Sequence, residues 1–290
     1  MINESQRQQI ADLGKEFFVL SRGKTELLRL IDQAELPEMV YNSNAIENST
    51  LTLKETEEIL LEQKVPRHAD VRELYEAKNL AGVQEYLWKN PNYVLNKENI
   101  VFLHHKLLNG ISDDFSGRFR HGSEWVKIGT YIPPSPELVV GLVTELLDEY
   151  NIPDNVYFLD KIARFHAGFE SIHPFCDGNG RIGRVLINLQ LAQHNLPPLI
   201  IQNKSKHKEY YPLFRAYQEH RVWDGFTSLF AKLLLESLHK RLAYLRSQKI
   251  IRLTDYAREQ KQSVHTLLNK AKRQTLPAFR ERGVWKIGIE

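Results

Sequence analysis

The chain is 290 residues long, 42% hydrophobic and 26% charged, enough for two compact units or one domain with appendages. Its lone cysteine, Cys176, excludes an intrachain disulfide framework and a zinc ribbon, so a reducing compartment is expected. The net charge of +3 conceals an asymmetry: residues 240–290 hold 13 Lys and Arg against 4 Asp and Glu, leaving 26 basic and 32 acidic residues before them. A nucleic-acid or acidic partner is therefore a candidate for the tail rather than the body. Glu4, Asp12 and Glu16 interrupt the first twenty residues, and no run of eighteen apolar residues occurs. The expectation is a soluble cytoplasmic protein without a signal peptide or a membrane partner.

Along the chain the periodicity is mostly helical. Apolar residues recur at three and four spacing over 55–63, 70–89, 98–108, 137–148, 156–171, 181–193, 208–218 and 224–246, and Ser135-Pro136-Glu137 starts the fourth of these. Between the third and fourth, residues 119–132 differ. Gly117, Gly122 and Gly129 punctuate short runs containing Phe119, Val126, Ile128, Tyr131 and Ile132, which predicts a small β-hairpin. Its edge is a candidate dock for an extended peptide, the alternative being aromatics that only pack on neighbouring helices.

The chemistry concentrates in His173-Pro174-Phe175-Cys176-Asp177-Gly178-Asn179-Gly180-Arg181-Ile182-Gly183-Arg184. Upstream, Leu159, Ile162, His166, Phe169 and His173 share one helical face that Pro174 ends. Downstream, Ile182, Val185, Leu186 and Leu189 form an apolar stripe, with Arg181, Arg184 and Asn188 on another face. In a helix, glycine loop, helix sequence, Gly178 and Gly180 permit close backbone approach, and the N–H groups that follow form an anion nest at a helix N-terminus. Two arginines one turn apart suit phosphate oxygens. Asp177 beside them requires a divalent cation, and magnesium fits. His173 is placed to accept a proton from an attacking hydroxyl.

Three other readings fit less well. The segment matches G-x-G-x-x-G, but a helix precedes it and 195–207 offers no acid for a ribose. His166 and His173 are separated by about 10 Å of helix, too far to share one metal. Little in the sequence depresses the pKa of Cys176 enough to make it a nucleophile.

This segment resembles the signature of Fic-domain proteins, HPFx[DE]GNGRxxR, with the likeness extending over about 98–235 through Phe165-His166, Gly117-Arg118-Phe119-Arg120 and Tyr210-Tyr211. The resemblance implies an AMP transferase that moves adenylate from ATP to a Ser, Thr or Tyr hydroxyl of a protein. It implies His173 as general base, Asp177 as the Mg2+ ligand and Phe175 as the loop's buried anchor. Gly178, Asn179 and Gly180 would form the nest, with Arg181 on the nucleotide phosphates and Arg184 on the terminal one. The 119–132 hairpin would be a flap that docks the target protein. Ser43-Asn44-Ala45-Ile46-Glu47-Asn48 resembles the family's inhibitory [ST]xxxE[GN] motif, which would set Glu47 on Arg184 in place of the γ-phosphate. Removal of AMP, use of another nucleotide, and a DNA-associated nucleotide sensor stay as alternatives.

In the tail, Ile250-Ile251-Arg252-Leu253 precedes a helix running to Gln260, another begun by Ser263, and a hairpin turned at Arg282-Gly283. This resembles a winged helix-turn-helix, with Lys270, Lys272, Arg273 and Arg280 as phosphate contacts and His265 or Gln262 near a groove. A capping domain with a solvated basic face is the alternative. The expected fold is mainly all-α: an N-terminal helical region (1–97) with the inhibitory motif, a Fic core (98–235) with its flap, and a helical linker and winged-helix domain (236–290). ATP and Mg2+ are the expected cofactors. DNA and a second copy of the chain are further candidate partners.

Overall fold

The computed structural model describes residues 2–66, 68–90 and 92–289. Its α-helices are α1 (Glu4–Ser21), α2 (Thr25–Ile46), α3 (Leu53–Leu61), α4 (Val71–Lys89), α5 (Lys97–Leu108), α6 (Val139–Asn151), α7 (Phe158–Ile172), α8 (Asn179–Gln193), α9 (Tyr211–His220), α10 (Asp224–Leu245), α11 (Leu253–Glu259) and α12 (Val264–Lys272). Starts are marked chemically. Asn3 with Gln6 and Thr52 with Glu55 form capping boxes on α1 and α3, while Asp70 and Asn96 cap α4 and α5.

Helices α7 and α8 lie between two apolar cores, which fixes the loop joining them. Phe165, Phe169, Ile182, Val185 and Leu189 face a core shared with α2 to α6, whereas Ile162, Ala163, Ile187 and Leu191 face one shared with α1, α9 and α10. Burying apolar side chains on both sides contributes about 1.5–3 kcal/mol per large residue, so the pair is held rigidly.

Helices α1 and α2 lie in the region expected to be helical, 1–97, but in neither was a periodic run singled out. Helix α2 contains Pro37 and buries Glu35, Glu38, Asn42, Ser43 and Asn44 beside Leu36, Met39 and Val40, so polar residues interrupt its apolar period. A π-helical turn, Lys206–Tyr210, replaces the first turn of the helix expected at 208–218. The hairpin expected at 119–132 is shorter than predicted. Its only bridge among the described residues is Ile128 with Tyr131, each donating to the other's carbonyl at 2.9 Å. Gly122 and Gly129 are left-handed, and Pro133 and Pro134 remove the donors that would extend a ladder.

Helix α10 runs unbroken through residue 235, the expected domain boundary. Beyond it, β1 (Lys249–Arg252), β2 (Ala278–Glu281) and β3 (Val284–Ile289) form an antiparallel sheet in the order β1-β3-β2. Ile287 faces both Ile251 and Ala278. Left-handed Arg282 and Gly283 make the two-residue turn between β2 and β3. Leu253, Ala257, Leu267 and Ala271 of α11 and α12 complete a small core with Ala278 and Ile287. No described helix is long and apolar enough to cross a membrane.

Candidate active site

The loop between α7 and α8 is built from its own side chains. Helix α7 ends at Ile172, and His173 takes a left-handed conformation (φ 51°) as its cap. The carbonyls freed there, of Ile172 and His173, accept from the Arg120 guanidinium at 3.0 and 2.8 Å, and Arg120 also donates to Pro134. Arg120 is 1% exposed, a cation at the negative end of α7 that also ties down the 119–134 segment. Phe175 is fully buried and stacks on His104 with centroids 3.7 Å apart. Asn179 clamps Phe175 from both sides: its Oδ1 accepts from the Phe175 N–H and its Nδ2 donates to the carbonyl, each at 2.8 Å. His104 Nδ1 accepts from the Gly117 N–H at 3.1 Å, which leaves Nε2–H to donate to the Asp177 carbonyl at 2.9 Å.

Gly178 opens α8 with φ 78°, and a β-carbon there would also crowd Leu107 at 3.1 Å. The N–H groups of Asn179, Gly180 and Arg181 occupy the first turn, where no intrahelical acceptor exists. These donors stand where the sequence analysis expects an anion nest, and the Asn179 side chain itself is consumed in closing the loop.

An acid from α2 already stands there. A β-carbon on Gly180 would lie 2.1 Å from Glu47 Oε1, so this carboxylate rests on the first turn of α8. Arg184, 8% exposed, donates to Glu47 Oε1 at 2.8 Å, to the Ser43 hydroxyl at 2.9 Å and to the Ser43 carbonyl at 2.8 Å. Glu47 caps α2, and Asn48 follows it in a left-handed conformation (φ 71°), which explains physically why Gly or Asn suits that position. Buried Lys206 donates to the Ala45 and Ile46 carbonyls and to Asn48 Oδ1 at 2.9, 3.1 and 3.2 Å, and the Tyr211 hydroxyl donates to Ile46 at 2.7 Å.

His173 lies beside the nest with its Nδ1–H directed at the Glu170 carbonyl, 3.3 Å away, which leaves Nε2 as the basic nitrogen. Burial lowers its pKa to about 4, so the ring is neutral at pH 7. Burial likewise lowers His166 to about 3, and His166 is structural: its Nε2 meets the Tyr210 hydroxyl at 2.7 Å among Phe214, Phe226 and Phe230. Burial raises Glu170 to about 8 and Cys176 to about 11, the latter keeping its thiol protonated.

Asp177 and Arg181 belong to a four-membered ring of charges. Arg181, only 3% exposed, pairs with Asp177 at 3.1 Å and Glu76 at 3.0 Å. Arg72 pairs with the same Glu76 at 3.0 Å and with Asp177 Oδ2. Burial pushes the Asp177 pKa up, but Arg181 and Arg72 outweigh it and hold the carboxyl below its ordinary value. The Arg181 guanidinium, expected on the nucleotide phosphates, lies between these two acids, and its buried Nε has no hydrogen-bond partner. Sequence patterns missed Arg72, Glu76, His104 and Lys206. Arg72 and Glu76 read as an ordinary surface pair four residues apart, and a histidine within an apolar helical run gives no sign of its partner.

Residues 94–191 match the model of the Fic/DOC family. Over 176 residues the chain is 30% identical to protein adenylyltransferase Fic of Aedes aegypti, covering 59% of this chain and 35% of that protein. It spans about a third to a half of the length of the first curated relatives it matches. Among solved structures, a Fic domain containing signaling protein from Bacteroides thetaiotaomicron aligns with a TM-score of 0.75 at 23% identity, over 83% of this chain and 98% of that one. Fic-1 from C. elegans aligns with a TM-score of 0.71 at 25% identity, over 82% and 70%. Over residues 94–191 the chain is thus similar to the Fic/DOC family, and over a longer stretch it is similar to proteins named as Fic adenylyltransferases.

Proposed function

We propose that the chain is a protein adenylyltransferase whose resting state is held by Glu47. The observation that carries this is the seat of the Glu47 carboxylate: it occupies the first turn of α8 and an arginine donor together, the two features an anionic phosphate would need. A target Ser, Thr or Tyr hydroxyl attacks the α-phosphorus of ATP. His173 Nε2 takes its proton, the bond from the α-phosphorus to the bridging oxygen breaks, and pyrophosphate leaves. Backbone N–H groups of α8 stabilise the charge developing on the phosphates, Arg184 receives the terminal phosphate once Glu47 withdraws, and Arg181 orients Asp177. The partly exposed Asp177 carboxylate beside the nest has the hard oxygen donor that suits Mg2+, which when bound neutralises phosphate charge. The exposed segment around Trp125 and Ile132 is the proposed dock for the target.

Labelling with ATP carrying the label at the α or the γ phosphate tests this. Label retained only from the α position, and lost in His173→Ala, is the expected outcome. Retention of γ label would indicate a kinase-like reaction and overturn the assignment.

The division at 97 and 235 belongs to the same proposal, as does a winged helix-turn-helix in 236–290, which the strand, two helices and hairpin support. Exposed Lys270, Lys272 and Arg273 favour contact of that unit with DNA phosphates. Mobility shift across a salt series tests it: the contact predicts retention at low salt, and free migration there contradicts it.

A further inference from the structure

Asp177 is held by two arginines that differ in their freedom to move. The Arg181 side chain is 3% exposed and pinned by Glu76 as well as Asp177, so it cannot leave without stranding a buried charge. The Arg72 side chain is 55% exposed at the start of α4. It contacts Asp177 Oδ2, the carboxylate oxygen that makes no other hydrogen bond, since Oδ1 accepts from Gly178 and Arg181. Its Nε stays on Glu76 at 3.0 Å, four residues along the same helix, so a guanidinium that lets go of Asp177 still has a partner. The two arginines and two acids of the ring carry no net charge.

We propose that Arg72 is a positioning residue: with the loop empty it holds Asp177 in place as its counter-charge, and it yields Oδ2 to the divalent cation that accompanies a bound polyphosphate. This rests on the polyphosphate site proposed above. Gly178 and Arg181 fix the carboxylate through Oδ1, and Arg72 occupies the one oxygen that they leave free. The same device makes the cation compete with an arginine, so cation affinity becomes a property of α4 as well as of the loop.

The test uses the full chain carrying Glu47→Gly and His173→Ala, which frees Arg184 and leaves ATP intact, with and without Arg72→Met or Arg72→Lys. Mn2+ binding in the presence of ATP is followed by loss of the free-ion paramagnetic resonance signal, and nucleotide binding by calorimetry at saturating Mn2+. Removing a competing, partly exposed ion pair predicts that Arg72→Met binds Mn2+ about two- to fivefold more tightly, with nucleotide affinity at saturating Mn2+ unchanged. Arg72→Lys, which keeps the charge, should stay near the parent. Unchanged or weaker Mn2+ binding in Arg72→Met, with ATP still bound, overturns the exchange alone. Weaker ATP binding at saturating Mn2+ overturns it too, by making Arg72 a phosphate ligand. Failure of the parent double variant to bind ATP at all overturns the polyphosphate site and this proposal with it.

Discussion

Arg184 makes three bonds to α2, and each comes from a different part of one helical turn: the Ser43 hydroxyl, the Ser43 carbonyl and the Glu47 carboxylate. A single charge-assisted bond contributes about 1.5–3 kcal/mol, so Glu47→Gly should tighten ATP binding by about ten- to a hundredfold, measured by calorimetry. Unchanged affinity would mean that Glu47 does not compete with phosphate. Phe175 makes a different kind of prediction. It is fully buried between His104, Phe119 and Phe169, and Phe175→Ala should lower unfolding free energy by about 3–5 kcal/mol in urea titration while abolishing labelling. At this scale the glycine joint was legible because its residue types cluster within twelve positions. Arg120 and Lys206 were not, since a lysine or arginine that caps a distant helix looks like any surface cation until the chain folds.

Among the elements, α2 brings Ser43 and Glu47 to Arg184, and its apolar period was the least legible. Sequence periodicity failed there because the helix is packed on most of its surface. Its acids Asp32, Glu35 and Glu38 face the C-terminal part of the chain, and Ser43 and Glu47 face α8. The helix ends where Lys206 and Tyr211 hold its last carbonyls, a cation at the negative end of a helix. Lys206→Met should fray this end and loosen Glu47, raising basal ATP-dependent labelling, though by less than Glu47→Gly does. Basal labelling equal to the parent's would show that α2 keeps its register without the cap. The 119–132 segment was legible in composition but not in length: alternating aromatics announced a hairpin, whereas two left-handed glycines and a Pro-Pro pair stopped the ladder after one bridge.

For the whole molecule, part of the charge asymmetry acts inside the chain. Lys240 and Arg241 bind Glu35 and Asp32 of α2, Arg246 binds Glu16 of α1, and Arg280 makes three bonds to Glu236 of α10. Arg280 is therefore no phosphate contact; burial against α10 gives it an acidic partner that DNA would have to replace. At the turn between β2 and β3, the Arg282 N–H donates to Glu38 of α2 and its guanidinium pairs with Glu57 of α3. Composition revealed the surplus of cations but not their destination. Arg241 is 1% exposed, and Arg241→Leu, which strands Asp32 and leaves Glu35 with Lys240 alone, should cost about 3–5 kcal/mol of unfolding free energy.

The buried titratable groups set the pH profile of the folded chain. His104, His166 and His173 have folded pKa values of about 4, 3 and 4 against an ordinary 6.5, so they stabilise the native state above pH 6.5 and lose that contribution as pH falls. Glu170 has the opposite sign: raised to about 8, it stabilises at low pH and loses that contribution as pH climbs from 4.5 through 8. Each group contributes at most about 1.4 kcal/mol per pH unit, so three histidines outweigh one glutamate on the acid side. Urea denaturation should find maximal stability near pH 6.5, and Glu170→Gln should flatten the alkaline limb.

The most direct test is to compare three full-length proteins, the parent, Glu47→Gly and Glu47→Gly with Arg184→Ala, for transfer of label from the α-phosphate of ATP to protein. Low transfer by the parent, a large rise in the single variant and its loss in the double variant are predicted. Equal, robust transfer by the parent and Glu47→Gly would contradict the central claim that one carboxylate on Arg184 holds the enzyme at rest.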